Sequence, residues 1–385
     1  MIFFWYHLCI VLLGFISAAI LFFRFPHLPE KSKKLGKFPS LSVIIPARNE
    51  EKNLPLLLSD LRAQTLIPFE IICVDDASGD ATAQIALDYD VKLISLQEKP
   101  EGWTGKTWAC QNGADMAEGD LLLFLDADVR LKKDGLARIL EAYSESGCTV
   151  SVQPWHRTEK CYEQFSLPFN LIQHAGNGTA LKKPRSIGLF GPVILMPKTD
   201  YFAIGGHKSA RKSVVEDMTL GENLKKSGRA YRLFVGDSDV AFRMYGGGLG
   251  DLLRGWVKNV ATGASKTPAL LILLIILWVA SMLTPPMQIV RYAAAGDLLF
   301  TALFSLLYLF WVVALTVLSK CVGRFRFPAV LLYPVLLVVM LCVFAVSAFR
   351  KLFGLSVRWK GRDISTREHA AESESRETEE NRTCK

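Results

Sequence analysis

The sequence predicts an α/β domain built on a mostly parallel sheet with flanking helices, joined to transmembrane α-helices. Three observations carry that expectation: apolar runs alternate with amphipathic ones from Leu41 to Val152, acid-rich clusters follow several of those runs, and four charge-free apolar runs lie to either side. With 385 residues, 50% of them hydrophobic, the chain is too apolar for disorder except at its end and too long for one small domain.

The charge-free runs are Ile2–Phe23, Pro268–Val290, Leu298–Ser319 and Phe327–Phe349. Each supplies the ~20 apolar residues that a helix needs to cross a hydrocarbon core about 30 Å thick. Ile2–Phe23 lacks a basic leader and an A-x-A-like cleavage site, which predicts a retained anchor over residues 1–23. Lys31, Lys33, Lys34 and Lys37 follow it, and Lys320, Arg324 and Arg326 separate the last two runs; cytoplasmic loops carry such excesses. Residues 24–267 are therefore expected to form a cytoplasmic domain on a multi-pass cell-membrane protein. Four simple crossings would leave the tail outside, against the evidence of Arg350, Lys351, Arg358, Lys360 and Arg362. One segment within 268–349 is accordingly expected not to cross simply, either the one broken by Pro285-Pro286 or the one containing Pro334. Residues 350–385 read as basic and then, after Asp363, disordered.

The net charge of +8 sits beside the apolar runs rather than along one soluble face, so a membrane surface and not nucleic acid is the expected partner. Eight Cys lie far apart, without CxxC or a zinc-like His, so neither a thiol metal site nor a disulfide framework is indicated.

Within the domain, Leu41–Ile45, Phe69–Val74, Val91–Ser95, Asp120–Leu125 and Cys148–Val152 read as buried strands. Helical stretches near Glu50–Arg62, Asp80–Tyr89, Lys106–Ala117 and Asp134–Tyr143 separate them. In such sheets ligands bind beyond the carboxyl ends of the strands. The polar clusters stand there: Pro46-Ala47-Arg48-Asn49-Glu50, Asp75-Asp76-Ala77-Ser78 and Asp126-Ala127-Asp128.

Two carboxylates leaving a run as greasy as Leu121–Leu125 repel each other unless a cation or solvent compensates. A hard divalent ion, Mg²⁺ or Mn²⁺, takes one or two carboxylates together with substrate phosphates. A turn or capping pair is the plain alternative. Ser78 or Asp80 can cap the helix that follows, which leaves Asp75-Asp76 to accept from a base or a ribose hydroxyl. No GxGxxG follows the first strand and no Walker lysine loop is present, which disfavours dinucleotide redox chemistry and P-loop hydrolysis.

Together with Gly105-Lys106 and Val215-Glu216-Asp217, these clusters resemble the family 2 glycosyltransferases over roughly Leu41 to Lys258. The resemblance implies a GT-A fold, a nucleotide-sugar donor, a divalent metal and inversion at the anomeric carbon. Gly191-Pro192-Val193, Gly205-Gly206-His207-Lys208, the stretch from Ala241 to Tyr245 and that from Val357 to Arg362 look most like one bacterial branch. That branch attaches a sugar, with UDP-glucose as the expected donor, to the carboxyl group of the C30 carotenoid acid 4,4'-diaponeurosporenoate. Ceramide glucosyltransferases are more distantly similar, and a glycerolipid, hopanoid or polyprenyl phosphate acceptor is the alternative, as is a membrane component that binds sugar nucleotide without transfer.

Carried onto this chain, the resemblance implies that Pro46, Ala47, Glu50 and Asp76 hold the nucleoside while Asp75 shapes its loop. Asp126 would face the ribose, Asp128 would coordinate the metal, and Lys106 would add positive charge near the donor unless it is a solvated helix-start residue. Asp217 stands where the family keeps its general base, with Glu216 beside it, although acids are also favoured at a helix N-terminus. His207 is expected on the acceptor side unless it is a turn histidine with no ligand, and Trp256 likewise unless it only marks the membrane interface. Trp256 ends a Gly250–Trp256 stretch in which Arg254 is displaced from the (Q/R)-x-x-R-W pattern of processive members, which favours a single transfer to a hydrophobic acceptor.

Overall fold

The computed structural model describes residues 2–30, 38–213, 215–355, 357–359 and 362–364. An apolar helix, α1 (Ile2–Leu21), leads into the strand–helix alternation β1 (Leu41–Ala47), α2 (Leu54–Arg62), β2 (Glu70–Asp76), α3 (Thr82–Asp88), β3 (Lys92–Leu96), α4 (Gly105–Asp115) and β4 (Leu121–Leu125). Then come β5 (Val129–Leu131), α5 (Gly135–Ser146), β6 (Thr149–Gln153), β7 (Trp155–Arg157), α6 (Ser166–Asn177), β8 (Val193–Pro197), α7 (Lys198–Ala203), α8 (Glu216–Lys226), β9 (Tyr231–Val235) and β10 (Val240–Phe242). The chain closes with α9 (Leu249–Lys266), α10 (Ala269–Ala294), α11 (Leu298–Val322), β11 (Gly323–Arg324), α12 (Phe327–Leu331), α13 (Tyr333–Phe353), β12 (Val357–Trp359) and β13 (Arg362–Ile364).

Seven strands form the central sheet in the order β3-β2-β1-β4-β8-β6-β9. Only β8 runs against the rest, antiparallel to both β4 and β6. Successive side chains of a strand point to opposite faces, and both faces here are apolar. Val43 and Ile45 of β1, with Leu121, Leu123 and Leu125 of β4, pack against Leu57, Leu61 and Leu140 of α2 and α5. Ile44, Leu122 and Phe124 point the other way, onto Ala109 and Ala114 of α4 and Leu220 of α8. This two-sided burial is why the strands are continuous apolar runs rather than alternating ones. The five expected strands and four expected helices are present within a few residues, and the mixed, mostly parallel sheet agrees with the expected fold class.

Among the described residues four helices are long and apolar enough to cross a membrane: Phe3–Leu21 within α1, then α10, α11 and α13. The chain is membrane-associated through them. Helix α10 runs unbroken through Pro285-Pro286, and the last apolar run bends at Leu332, before Pro334, into α12 and α13. By length, then, neither suspected segment falls short of a crossing. Helices α1 and α10 meet at Gly14, where an added Cβ would lie 1.8 Å from Ser281 Oγ, so the absence of a side chain sets how closely the two approach. The tail beyond Ile364 lies outside the described residues, while β12 and β13 pair as a short hairpin within the region read as basic.

A second, four-stranded sheet, β11-β7-β10-β5, ties the α/β domain to the long apolar helices. Strand β5 follows directly on Asp128, and β11 continues directly from α11. Trp155 Nε1 adds a hydrogen bond to the Lys320 carbonyl at 3.0 Å, and Val235 N–H one to the Pro26 carbonyl at 2.7 Å. The end of a membrane helix and the Asp126–Asp128 turn thus belong to one hydrogen-bonded unit.

Candidate active site

The loops after β1 and β2 are stitched into a single wall. Arg48 Nη1 donates to the carbonyls of Asp76 and Ala77, the latter at 3.1 Å. Asn49 N–H donates to Ser78 Oγ at 2.9 Å, Glu50 N–H to Thr82 Oγ1 at 2.8 Å and Glu51 N–H to Asp80 Oδ2 at 3.1 Å. Asp80 Oδ1 takes the Thr82 N–H at 3.0 Å at the start of α3, while Ser78 serves the neighbouring loop instead. Asp75 accepts from Ser78 N–H at 3.3 Å and so shapes its own loop. Asn49 and Ala77 both sit at positive φ, 52° and 51°; a left-handed alanine is strained, and strain of this kind is tolerated where surrounding bonds over-determine the backbone. Pro46, Ala47, Glu50 and Asp76 all line the cavity that these loops open onto. Glu50 Oε2 also takes a hydrogen bond from Asn53 Nδ2 at 2.8 Å.

Lys106 lies at the centre of the acidic residues. Its Nζ is 2.6 Å from Asp126 Oδ1, 3.3 Å from Glu216 Oε1 and 3.3 Å from the Gly191 carbonyl. Burial alone would lower its ammonium, yet Asp126 and Glu216 hold it well above its ordinary value. A cation in the first turn of α4 opposes the helix dipole, so it is the carboxylates and not the helix that account for its position. Lys106 is thus held at the helix start by two carboxylates, half-buried rather than free in solvent.

Asp217, the second residue of α8, is held from two sides: Oδ2 accepts the Gly191 N–H at 2.9 Å and Oδ1 accepts the Met218 N–H at 2.8 Å. Burial, with the neighbouring Glu216 carboxylate, pushes its carboxyl up to about 6. The acids at this helix start thus do more than meet a dipole, because both point into the space shared with Lys106. The backbone of Asp126 is fixed by its N–H to the Pro192 carbonyl at 3.0 Å.

Behind Asp128 stands a residue that sequence reasoning noted only within a motif. Arg243 N–H donates to the Asp128 carbonyl at 3.3 Å, while its guanidinium grips the fully buried Glu163 at 2.8 and 3.1 Å and Glu159 at 2.7 Å. A lone Arg within an apolar stretch was the available signal; its partners lie 80 residues away in sequence.

One cavity of about 1800 Å³ joins these groups. It is lined at one end by Ala47, Asp76, Lys106, Asp126, Asp128 and Asp217, and at the other by Ile275, Val279 and Leu283 of α10 with Met340 and Phe344 of α13. His207 is not among its lining residues. It is 1% exposed, sits 3.1 Å from Tyr201 Oη and edge-on to Phe124, and burial pushes its imidazole down to about 3. This corrects the acceptor-side expectation: the Gly205-Gly206 turn folds the ring into the core. Trp256 does line the cavity but is 2% exposed, with one ring face stacked on Phe169 at 4.5 Å. It acts as wall on that side and has no open face there for a sugar.

Residues 42–218 match the family model described as glycosyl transferase family 2. A 4,4'-diaponeurosporenoate glycosyltransferase of Staphylococcus haemolyticus is 34% identical over 368 residues, covering 92% of this chain and 96% of that one. The same-named protein of Staphylococcus aureus (strain USA300) is 32% identical over 365 residues with the same coverage. The chain belongs to glycosyltransferase family 2 and is a glycosyltransferase. Its fold is that of a Pyrobaculum calidifontis mannosyltransferase solved with GDP-Man and Mn²⁺, with a TM-score of 0.52 at 16% identity over 90% of this chain and 96% of that one.

Proposed function

We propose that the protein transfers a hexose from a nucleotide sugar, UDP-glucose, to the carboxyl group of a C30 carotenoid acid, 4,4'-diaponeurosporenoate, at the cytoplasmic face of the cell membrane. The observation that carries this reading is the continuity of the cavity, which leads from the acid-rich strand ends to an apolar wall on α10 and α13. A C30 chain is practically insoluble in water, and a site that opens among membrane helices receives it without extraction into solvent. The names of the two staphylococcal relatives point to the same acceptor.

On this reading Pro46, Ala47 and Asp76 hold the nucleoside and Lys106 faces the diphosphate. Asp128 supplies a hard oxygen donor for the metal while Asp126, held by Lys106, faces the ribose; no group of three or more His, Cys, Asp or Glu suited to a metal exists among the described residues. One carboxylate completed by substrate phosphate oxygens and water suits Mg²⁺ or Mn²⁺, so the residues fit an ion that arrives with the donor. When bound, that ion offsets charge on the departing diphosphate. The acceptor's carboxylate oxygen forms its bond to the anomeric carbon as the bond to the diphosphate oxygen breaks. The electron pair leaves with the nucleoside diphosphate, which inverts the centre. A carboxylate with an ordinary pKa of about 4 is already ionised near neutral pH, so this transfer needs little base catalysis from Asp217.

The test is expression in cells that make 4,4'-diaponeurosporenoic acid, with Asp128→Ala as control, and mass analysis of extracted pigment. A gain of one hexose through an alkali-labile ester, absent in the control, supports the reading. Unchanged pigment, with UDP-glucose still hydrolysed by the membranes, discards the carotenoid acceptor.

A further inference from the structure

We infer that the amide of Gln173, oriented by Gln153, is the hydrogen-bond donor that recognises the non-attacking carboxylate oxygen of the acceptor. The inference rests on the carboxylate-acceptor reading above and names the residue that would make the site prefer an acid to an alcohol.

Both glutamines line the cavity between its two ends. Gln153 closes β6; that strand pairs with β8 through Ser151 opposite Ile194, so Gln153 emerges level with the Gly191-Pro192 turn that Asp217 grips. Gln173 lies on the face of α6 that also presents Phe169, Ile172 and the bare backbone of Gly176 to the cavity, a spacing that puts these four residues on one side of the helix. An acceptor with its head at Asp217 and its apolar chain at α10 must pass this face.

Gln153 is 3% exposed, and its Nε2 donates to Gln173 Oε1 at 3.4 Å. Its own Oε1 has no partner among the described residues. A buried amide with half its bonding capacity unfilled weakens a fold, so its presence is better explained by what it orients. With its oxygen engaged by Gln153, Gln173 keeps its Nε2 for another acceptor. Among the described residues nothing accepts from that nitrogen.

A carboxylate nucleophile needs its second oxygen held without having its charge neutralised, and a neutral amide N–H does this. Lys258 also lines the cavity; an ammonium there draws in an anionic head as a point charge but does not fix its orientation. Asn177 is unavailable, since its amide is taken by Ile187 N–H, Gly188 N–H and the Gly188 carbonyl.

The experiment uses the full chain in lipid vesicles with UDP-glucose and two acceptors, 4,4'-diaponeurosporenoic acid and the corresponding alcohol. Loss of a hydrogen bond to a charged group corresponds to about a 10–100-fold effect. Gln173→Leu should raise KM for the acid by that factor and leave the alcohol's KM within about twofold, and Gln173→Glu should be worse than Leu with the acid, through like-charge repulsion. Gln153→Leu should raise the melting temperature yet still raise KM for the acid, which a purely structural glutamine would not do. Equal changes with both acceptors, or an unchanged KM for the acid, overturn the inference. Wild-type protein that fails with the acid but transfers to the alcohol overturns the acceptor reading itself, and is told apart by the wild-type arm alone.

Discussion

Lys106 Nζ reaches Asp126 Oδ1 at 2.6 Å while staying within 3.3 Å of Glu216, so one ammonium holds together acids from two elements about 90 residues apart. Removing it leaves Asp126, Glu216 and Asp217 facing each other with less compensation, and takes a positive charge from beside the donor. Lys106→Met should raise the KM for donor about 10–100-fold, the range for a lost charge-assisted contact. Titration of UDP into membranes of the variant checks this; unchanged UDP affinity would remove Lys106 from donor binding.

Asp217 gives a pH test whose sign depends on the acceptor. Its carboxyl, raised to about 6, is largely ionised at pH 7.5 and loses charge as pH falls through 6. Transfer to a hydroxyl acceptor, which must lose a proton as it attacks, should fall with it. Transfer to a carboxylate should stay nearly flat to about pH 5. Asp217→Asn should nearly abolish the first and leave measurable transfer in the second; equal losses with both acceptors would contradict this division of labour.

The same shift is a statement about stability. A carboxyl whose ordinary value is about 4 and whose folded value is about 6 binds its proton more tightly when folded. The folded state therefore gains stability as pH falls from above 6 towards 4 and loses it as pH rises through 6. Asp217→Asn, which carries no charge at any pH, should melt higher than wild type at pH 7.5, with the gap closing near pH 4.5. A variant that melts lower at both values would mean that its two backbone hydrogen bonds outweigh the burial of charge.

Much of this was legible in the sequence, for identifiable reasons. Runs such as Leu121–Leu125 declare a strand because both sheet faces are buried, and the acids that follow them stand out against that background. The antiparallel insertion of β8 between β4 and β6 was not legible, because strand order depends on pairings across about 70 residues that leave no local pattern. Arg243 was hidden for the same reason, its meaning lying in Glu163 and the Asp128 carbonyl. His207 misled because two glycines before a histidine look like an exposed turn, whereas here they turn the ring inward onto Tyr201. Pro285-Pro286 suggested a broken segment, but proline is tolerated in membrane helices where neighbouring groups satisfy the backbone it frees.

Gly191 is where the geometry is least forgiving. An added Cβ would lie 3.2 Å from Asp217 Oδ2 and 3.3 Å from Lys106 Nζ, tighter than ordinary contacts. The same residue gives its N–H to Asp217 and its carbonyl to Lys106, so any yielding moves the base and the cation together. Displacements of about 1 Å in a positioned group cost on the order of 10²-fold in rate. Gly191→Ala should therefore lower kcat by roughly that factor while shifting the melting temperature by only a few degrees, since the methyl at this buried turn meets two polar side chains and not the packed apolar core. Full activity in this variant would show that Asp217 and Lys106 can shift without consequence, and would remove the basis for assigning either of them a positioned role.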